Sequence, residues 1–138
     1  MSKNIWKDME GMHEHYGVHP VIDKMDADAL EAFLEFRIKF LEEELDETKM
    51  AFIARDAEEV VDGLIDLIVI AAGTLDLFDV DGEKAWNAVL EANMNKEVGV
   101  KESRPNPFGL PDLIKPEGWK GPNHETNHGL LGKTLKKL

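Results

Sequence analysis

Residues 40–73 read FLEEELDETKMAFIARDAEEVVDGLIDLIVIAAG, acidic through the first half and apolar through the second. Helical spacing runs on both sides of Arg55-Asp56. Upstream, Leu30, Phe33, Leu34, Leu41, Leu45 and Phe52 form one stripe, predicting a helix from Asp26 or Asp28 to about Arg55. Downstream, Asp56 is an N-cap candidate and Glu58 and Glu59 suit a first turn, predicting a helix from about Ala57 to Phe78. That second helix is apolar on nearly every side from Val60 onward and is expected to be central and buried. Two long helices joined by so short a link run antiparallel, the mark of a helical bundle.

The flanks extend this pattern. Residues 3–15 predict a short helix with Ile5, Met9 and Met12 on one face, broken by YGVHP at 16–20. DVDG at 79–82 reads as a turn, and EKAWNAVLEANMNKE as a further helix with Ala85, Trp86, Val89, Ala92 and Met94 facing inward. After Val98 the composition changes: prolines 105, 107, 111, 116 and 122 predict an extended segment. Phe108, Leu110, Leu113, Ile114 and Trp119 need cover there, so it is expected to wrap over the bundle or a neighbouring subunit. The last stretch, HETNHGLLGKTLKKL, reads as loosely ordered. The expected architecture is all-α, an antiparallel four-helix bundle with an extended Pro/Gly-rich C-terminal tail. A catalytic domain is expected over 1–98 and a tail over 99–138.

Bulk properties narrow the function. The 138 residues suit one domain, and the absence of cysteine excludes disulfides and points to a reducing compartment, read as cytoplasmic. MSKNIWKDME lacks a signal-peptide pattern, and the longest apolar run, broken by Asp66, is too short for a bilayer. A net charge of −12 disfavours nucleic acid and anionic membranes as partners. Acidic proteins handle anionic substrates when a divalent cation inverts the local field.

Helical geometry makes that cation an expectation. At about 100° per residue, Glu44 and Glu47 project beside the apolar stripe with Phe33, Arg37, Phe40 and Ala51, and Glu43 lies at its edge. Glu59, Asp62 and Asp66 share one narrow face of the next helix with Val69, Ile70 and Gly73. Carboxylates converging in a partly dry site repel unless a cation lies among them. All-oxygen ligands select hard ions, Mg²⁺ or Mn²⁺. Such ions attract a polyphosphate, and a carboxylate can orient water for attack on phosphorus. The competing reading is a solvated charge run over 42–47. A di-iron bundle needs Glu-x-x-His pairs, and no histidine occurs between residues 20 and 123.

These residues resemble the MazG-type all-α nucleoside triphosphate pyrophosphohydrolases, a superfamily that includes dimeric dUTPases and phosphoribosyl-ATP pyrophosphatases. Glu43, Glu44 and Glu47 match its EExxE element, and Glu59 and Asp62 its ExxD element. ANMNK at 92–96 is similar to its SNMSK element, and KESRPNPFGLPDLIKPEGW at 101–119 resembles the tail of phage-encoded members. The resemblance covers about residues 26–120. It implies Mg²⁺ (Mn²⁺ substituting) and cleavage of nucleoside triphosphates to monophosphate and pyrophosphate. Glu44, Glu47, Glu59 and Asp62 would be metal ligands, and Glu43 a ligand or the group orienting water. Only eleven residues separate Glu47 from Glu59, a short gap that makes Asp66 a further ligand candidate. Asn93 and Lys96 match the phosphate-binding positions.

Base selection is less defined. Arg37 is a candidate for a structural ion pair or a substrate contact, His13, Tyr16 and Trp6 for stacking, and Trp119 and Arg104 for closing a site from the tail. His15 and His19 read as loop residues of no consequence. The resemblance further implies a homodimer or a tetramer built as a dimer of dimers. It also favours a purine substrate, with dGTP or GTP first, in nucleotide-pool adjustment during phage replication. The rivals are a dUTPase-like or noncanonical-nucleotide hydrolase, a non-catalytic nucleotide-binding helical regulator, and a structural acidic dimer.

Overall fold

A computed structural model describes residues 2–104 and 106–136; Pro105 of the tail and Lys137 and Leu138 at the basic end lie outside the described residues. The elements in chain order are α1 (Ile5–His15), α2 (His19–Ile22), α3 (Ala27–Ile53), α4 (Ala57–Leu77), α5 (Gly82–Met94), β1 (Glu97–Gly99), β2 (Asp112–Ile114) and α6 (Leu131–Thr134). The fold is helical, as expected of the all-α class. No helix is long and apolar enough to cross a membrane among the described residues.

Capping explains the helix boundaries. Asp26 accepts from the Ala29 N–H at 2.9 Å and starts α3. Asp56 accepts from the Glu59 N–H at 3.1 Å and starts α4. Between them Arg55 turns the chain with φ of 57°, a left-handed conformation unusual for a residue with a Cβ. Gly17, at φ of 64°, makes the turn after α1.

The chain divides into two compact units, residues 1–82 with 128–138 and residues 83–127. The first holds α1 to α4 and α6. Its core is Ile22, Leu30, Leu77 and Phe78, with Val18, Met25, Phe33, Leu34, Val80, Leu130 and Leu131 packed round it. Phe33 and Phe78 stack with ring centroids 5.9 Å apart. The segment expected to be loose is thus anchored over 128–134, because Leu130 and Leu131 supply apolar cover that this small core needs. His19, expected in a loop, begins the helical turn α2.

In the second unit β1 and β2 pair antiparallel, with Val98 opposite Leu113. The fourth predicted helix therefore stops at Met94, and Glu97 enters a strand. Trp119 donates its indole N–H to the Ala92 carbonyl at 2.8 Å, which fastens the Pro/Gly-rich segment to α5. Lys84 reaches the Thr126 hydroxyl at 2.9 Å. Ala92 is buried, but Trp86, Val89 and Met94 are exposed, contrary to the inward face that periodicity predicts.

α4 also departs from expectation. Ile70, Ala72, Gly73 and Leu77 are buried, yet Val61, Leu64, Ile65 and Ile68 are exposed. Phe36, Met50, Phe52 and Ile53 of α3 are exposed as well. The apolar circumference of α4 exceeds what the described residues cover.

α3 and α4 pair closely where Gly63 meets Thr48. A Cβ built on Gly63 would overlap Thr48 Oγ1 and lie 3.2 Å from Thr48 Cβ. Gly63→Ala is expected to destabilise the protein. Overpacking costs about 1–3 kcal/mol, against about 1 kcal/mol of helix propensity gained. Urea denaturation should give a lower midpoint than wild type; a higher midpoint would show that the two helices separate without cost.

Candidate functional site

The Thr48–Gly63 contact sets the register of the α3–α4 pair. Thr48 donates its hydroxyl to the Glu44 carbonyl at 2.8 Å, one turn back. Further along, Arg37 Nε donates to Thr74 Oγ1 at 2.9 Å. Around and between these two points the acidic residues of the two helices come near one another, Glu44, Glu47 and Asp66 between them and Asp62 beside Gly63. Glu44 is half-buried, and its carboxyl is held above the usual carboxylate range. Partial desolvation is the main cause, followed by the charge of Glu47, that of Asp66, a hydrogen bond with Glu47, and the charge of Asp62.

Four of the residues singled out from sequence are thus near enough to feel one another's charge, Glu44 and Glu47 from α3 and Asp62 and Asp66 from α4, though Glu47 and Asp62 are exposed and, among the described residues, no three of these carboxylates lie within 4.8 Å of one another. Asp66 is half-buried and its charge weighs on Glu44 ahead of that of Asp62. Glu43 and Glu59 are exposed, as are Glu47 and Asp62, and neither Glu43 nor Glu59 is among the charges that act on Glu44. The donor set suits a hard divalent cation. It is all oxygen, anionic and self-repelling, so a cation among the carboxylates relieves the repulsion that raises Glu44.

Among the described residues Arg37 does not form the ion pair considered from sequence. It donates to neutral oxygens, to Thr74 Oγ1 and to the Ile70 carbonyl at 3.1 Å, and its guanidinium lies 5.8 Å from the Phe40 ring centroid. Burial pushes its pKa down from the ordinary value. Gly73 gives it room, since a Cβ there would lie 3.1 Å from Arg37 Nη2 and 3.4 Å from His13 Cε1.

His13 is buried, 5% exposed, with Nδ1 2.6 Å from Asp76 Oδ2, so its ring is not a free stacking face. Tyr16 is exposed and meets His15 edge-on. The Trp6 ring lies against Gly82. In the second unit Asn93 is exposed and Lys96 half-buried. Lys96 Nζ lies 5.3 Å and Lys115 Nζ 5.1 Å from the Trp119 ring centroid. Arg104 lies 3.5 Å from Asp112.

Sequence reasoning missed Asp76 and His19. Asp76 Oδ2 also meets His19 Nε2 at 2.9 Å. The signal was a lone carboxylate in the last turn of an apolar helix, which requires partners when partly buried.

The raised Glu44 carboxyl has a consequence for the metal-free protein. The folded state binds that proton more tightly than the unfolded state, so stability falls as pH rises from the ordinary carboxylate range through the raised titration. Glu44→Gln removes the charge and hence the loss. In thermal melts with a chelator present, the variant should melt above wild type at neutral pH, the gap closing in acid where Glu44 is protonated in both states. A variant that melts lower at neutral pH would contradict the repulsion inferred here.

No curated protein matches the chain. The family model for phosphoribosyl-ATP pyrophosphohydrolase matches residues 24–93, just over half of the chain, and that span contains α3 and α4 entire. The chain therefore belongs to the phosphoribosyl-ATP pyrophosphohydrolase family, within the MazG-like all-α NTP pyrophosphohydrolases, and is a pyrophosphohydrolase of nucleotide phosphoanhydrides.

Proposed function

We propose that the protein hydrolyses nucleoside or deoxynucleoside triphosphates to the monophosphate and pyrophosphate, with Mg²⁺ as the working cation and Mn²⁺ able to replace it. The observation that supports this reading is the close pairing of α3 and α4 at Thr48 and Gly63, which brings Glu44 and Glu47 near Asp62 and Asp66 in a chain of this family. These four, with Glu59 at the start of α4, are the proposed ligands. A hard cation held there supplies positive charge to the phosphate oxygens.

The chain's own residues do the rest. Glu43, exposed beside the ligands, orients water toward the α-phosphorus, and pyrophosphate leaves with the bond electrons. Asn93 and Lys96 contact phosphate: lysine as a mobile positive charge, asparagine as a neutral donor. Arg37, Tyr16 and Trp119 are the proposed residues for contacts to base and sugar; His13, buried against Asp76, is left out of that set. Residues 1–98 form the proposed catalytic domain, and 99–138 a tail that packs on it or on a neighbouring subunit.

The proposed substrate is a purine nucleotide, dGTP or GTP first, in the cytoplasm of a phage-infected cell. The resemblance of residues 101–119 to the tail of phage-encoded members supports this. A second reading follows from the family match, whose description names phosphoribosyl-ATP as substrate. The proposed assembly is a dimer or a tetramer, supported by the exposed apolar residues of α3 and α4, among them Phe36, Phe52, Leu64 and Ile65. Light scattering at micromolar concentration should return a mass of at least two chains; a monomer would overturn the assembly.

Pyrophosphate release from a panel of NTPs, dNTPs and phosphoribosyl-ATP, with Mg²⁺ or Mn²⁺, tests the reaction. Turnover on dGTP or GTP above the others is expected. Preference for phosphoribosyl-ATP selects the second reading, and no pyrophosphate from any of them refutes both. Loss of an outer partner of a metal ligand costs about 10–100-fold. Asp62→Asn, which strikes a proposed ligand itself, should lower kcat/KM by about 100-fold or more with an unchanged circular dichroism spectrum. An unaltered rate would reduce the carboxylates to surface charge.

A further inference from the structure

Three elements of the first unit bring donor atoms to one point that the proposed hydrolysis does not use. His13 comes from the last turn of α1, His19 begins α2, and Asp76 lies in the last turn of α4. Nδ1 of His13 and Nε2 of His19 both lie against the same oxygen, Asp76 Oδ2, at 2.6 and 2.9 Å. All three atoms lie within 4.8 Å of one another, and no other such group of three occurs among the described residues. The rings stand edge-on, 77° apart, so their nitrogens converge instead of stacking.

The surroundings resemble those of a metal ligand. The second ring nitrogen of His19, Nδ1, faces Asp79 Oδ1 at 3.7 Å. At this distance the carboxylate is just short of a hydrogen bond; closing the gap when His19 ligates a metal would let it fix the ring's orientation and raise its basicity. Asp79 is itself held in place. It adopts φ of 57°, directly after Phe78, whose carbonyl accepts the Leu130 N–H at 2.6 Å. The His13 side chain is 7% exposed, that of Asp76 16% and that of His19 30%, which leaves an approach from the His19 side.

The donors choose the ion. Two imidazoles and one carboxylate suit a borderline cation such as Zn²⁺, bound at about 2.0–2.2 Å, while Mg²⁺ prefers oxygen alone. Tetrahedral ligation at that range spaces donors about 3.3 Å apart, so the present 2.6 and 2.9 Å need only small outward shifts. We propose that His13, His19 and Asp76 bind one divalent transition ion of the Zn²⁺ class per chain, tying α1 and α2 to the end of α4. These residues are distinct from the Glu44, Glu47, Asp62 and Asp66 set. Three protein ligands leave one position for water or an exogenous donor.

Equilibrium dialysis of the full chain, stripped by chelator and then exposed to Zn²⁺ under excess Mg²⁺, tests the site. Wild type should retain about one zinc per chain and melt higher with zinc than without, because an ion that binds only the native state stabilises it. His19→Gln should weaken zinc binding more than tenfold and abolish the rise, and Asp79→Asn should weaken it about tenfold. Glu44→Gln should still take up one zinc. With Co²⁺ in place of Zn²⁺, wild type should show a visible d–d absorption that His19→Gln lacks. The proposal fails if wild type retains no zinc, if His19→Gln binds as wild type does, or if Glu44→Gln is the variant that loses it. His13 is the most buried of the three, and the partly exposed His19 and the outer Asp79 carry the test should His13 variants not fold.

Discussion

The separation of α3 and α4 governs the rest of the structure. Where Gly63 faces Thr48 there is no space for a methyl group, and the helices lie as near as their backbones and one hydroxyl allow. Thr48 turns that hydroxyl back onto the Glu44 carbonyl. Nearness at this point places two acidic faces opposite each other. It also brings Arg37 within reach of Thr74 and the Ile70 carbonyl at the far end of the pair. A wider helix pair would leave the same carboxylates as separate solvated charges.

That nearness is electrostatically unfavourable, and Glu44 records it. Its carboxyl resists ionisation because water is partly withdrawn and three acidic neighbours oppose its charge. A protein shaped only for stability gains nothing from such an arrangement, and destabilised groups of this kind concentrate where charge is to be bound. Membership of a pyrophosphohydrolase family supplies the chemical context, since its substrates are themselves anionic. Two like-charged partners at one site need positive charge between them.

A second polar cluster lies at the end of the bundle, of a different character. His13, His19 and Asp76 meet beside a core of Ile22, Leu30, Leu77 and Phe78, where partly buried carboxylates require partners. The C-terminal Leu130 and Leu131 complete this core and clamp the Phe78–Asp79 corner. The exposed apolar residues on α3 and α4 have no such cover within the described chain, a patch typical of surfaces that meet another protein.

Local chemistry made much of this legible without coordinates. Asp26 and Asp56 caps, helical periodicity and the proline-rich stretch after Val98 determined the elements, because each acts over a few residues. The same periodicity placed Glu44, Glu47, Asp62 and Asp66 on faces that can meet. What periodicity cannot decide is the distance and rotation of one helix against another. Tertiary packing therefore decided that the charge of Asp66 acts on Glu44 and that Arg37 binds neutral oxygens. It also exposed Trp86 and one side of α4, since burial depends on what lies opposite a helix and not on its own composition. The pairing of Asp76 with His13 and His19 spans some sixty residues of chain; no local rule encodes a contact of that range, and only the folded arrangement of α1, α2 and α4 creates it.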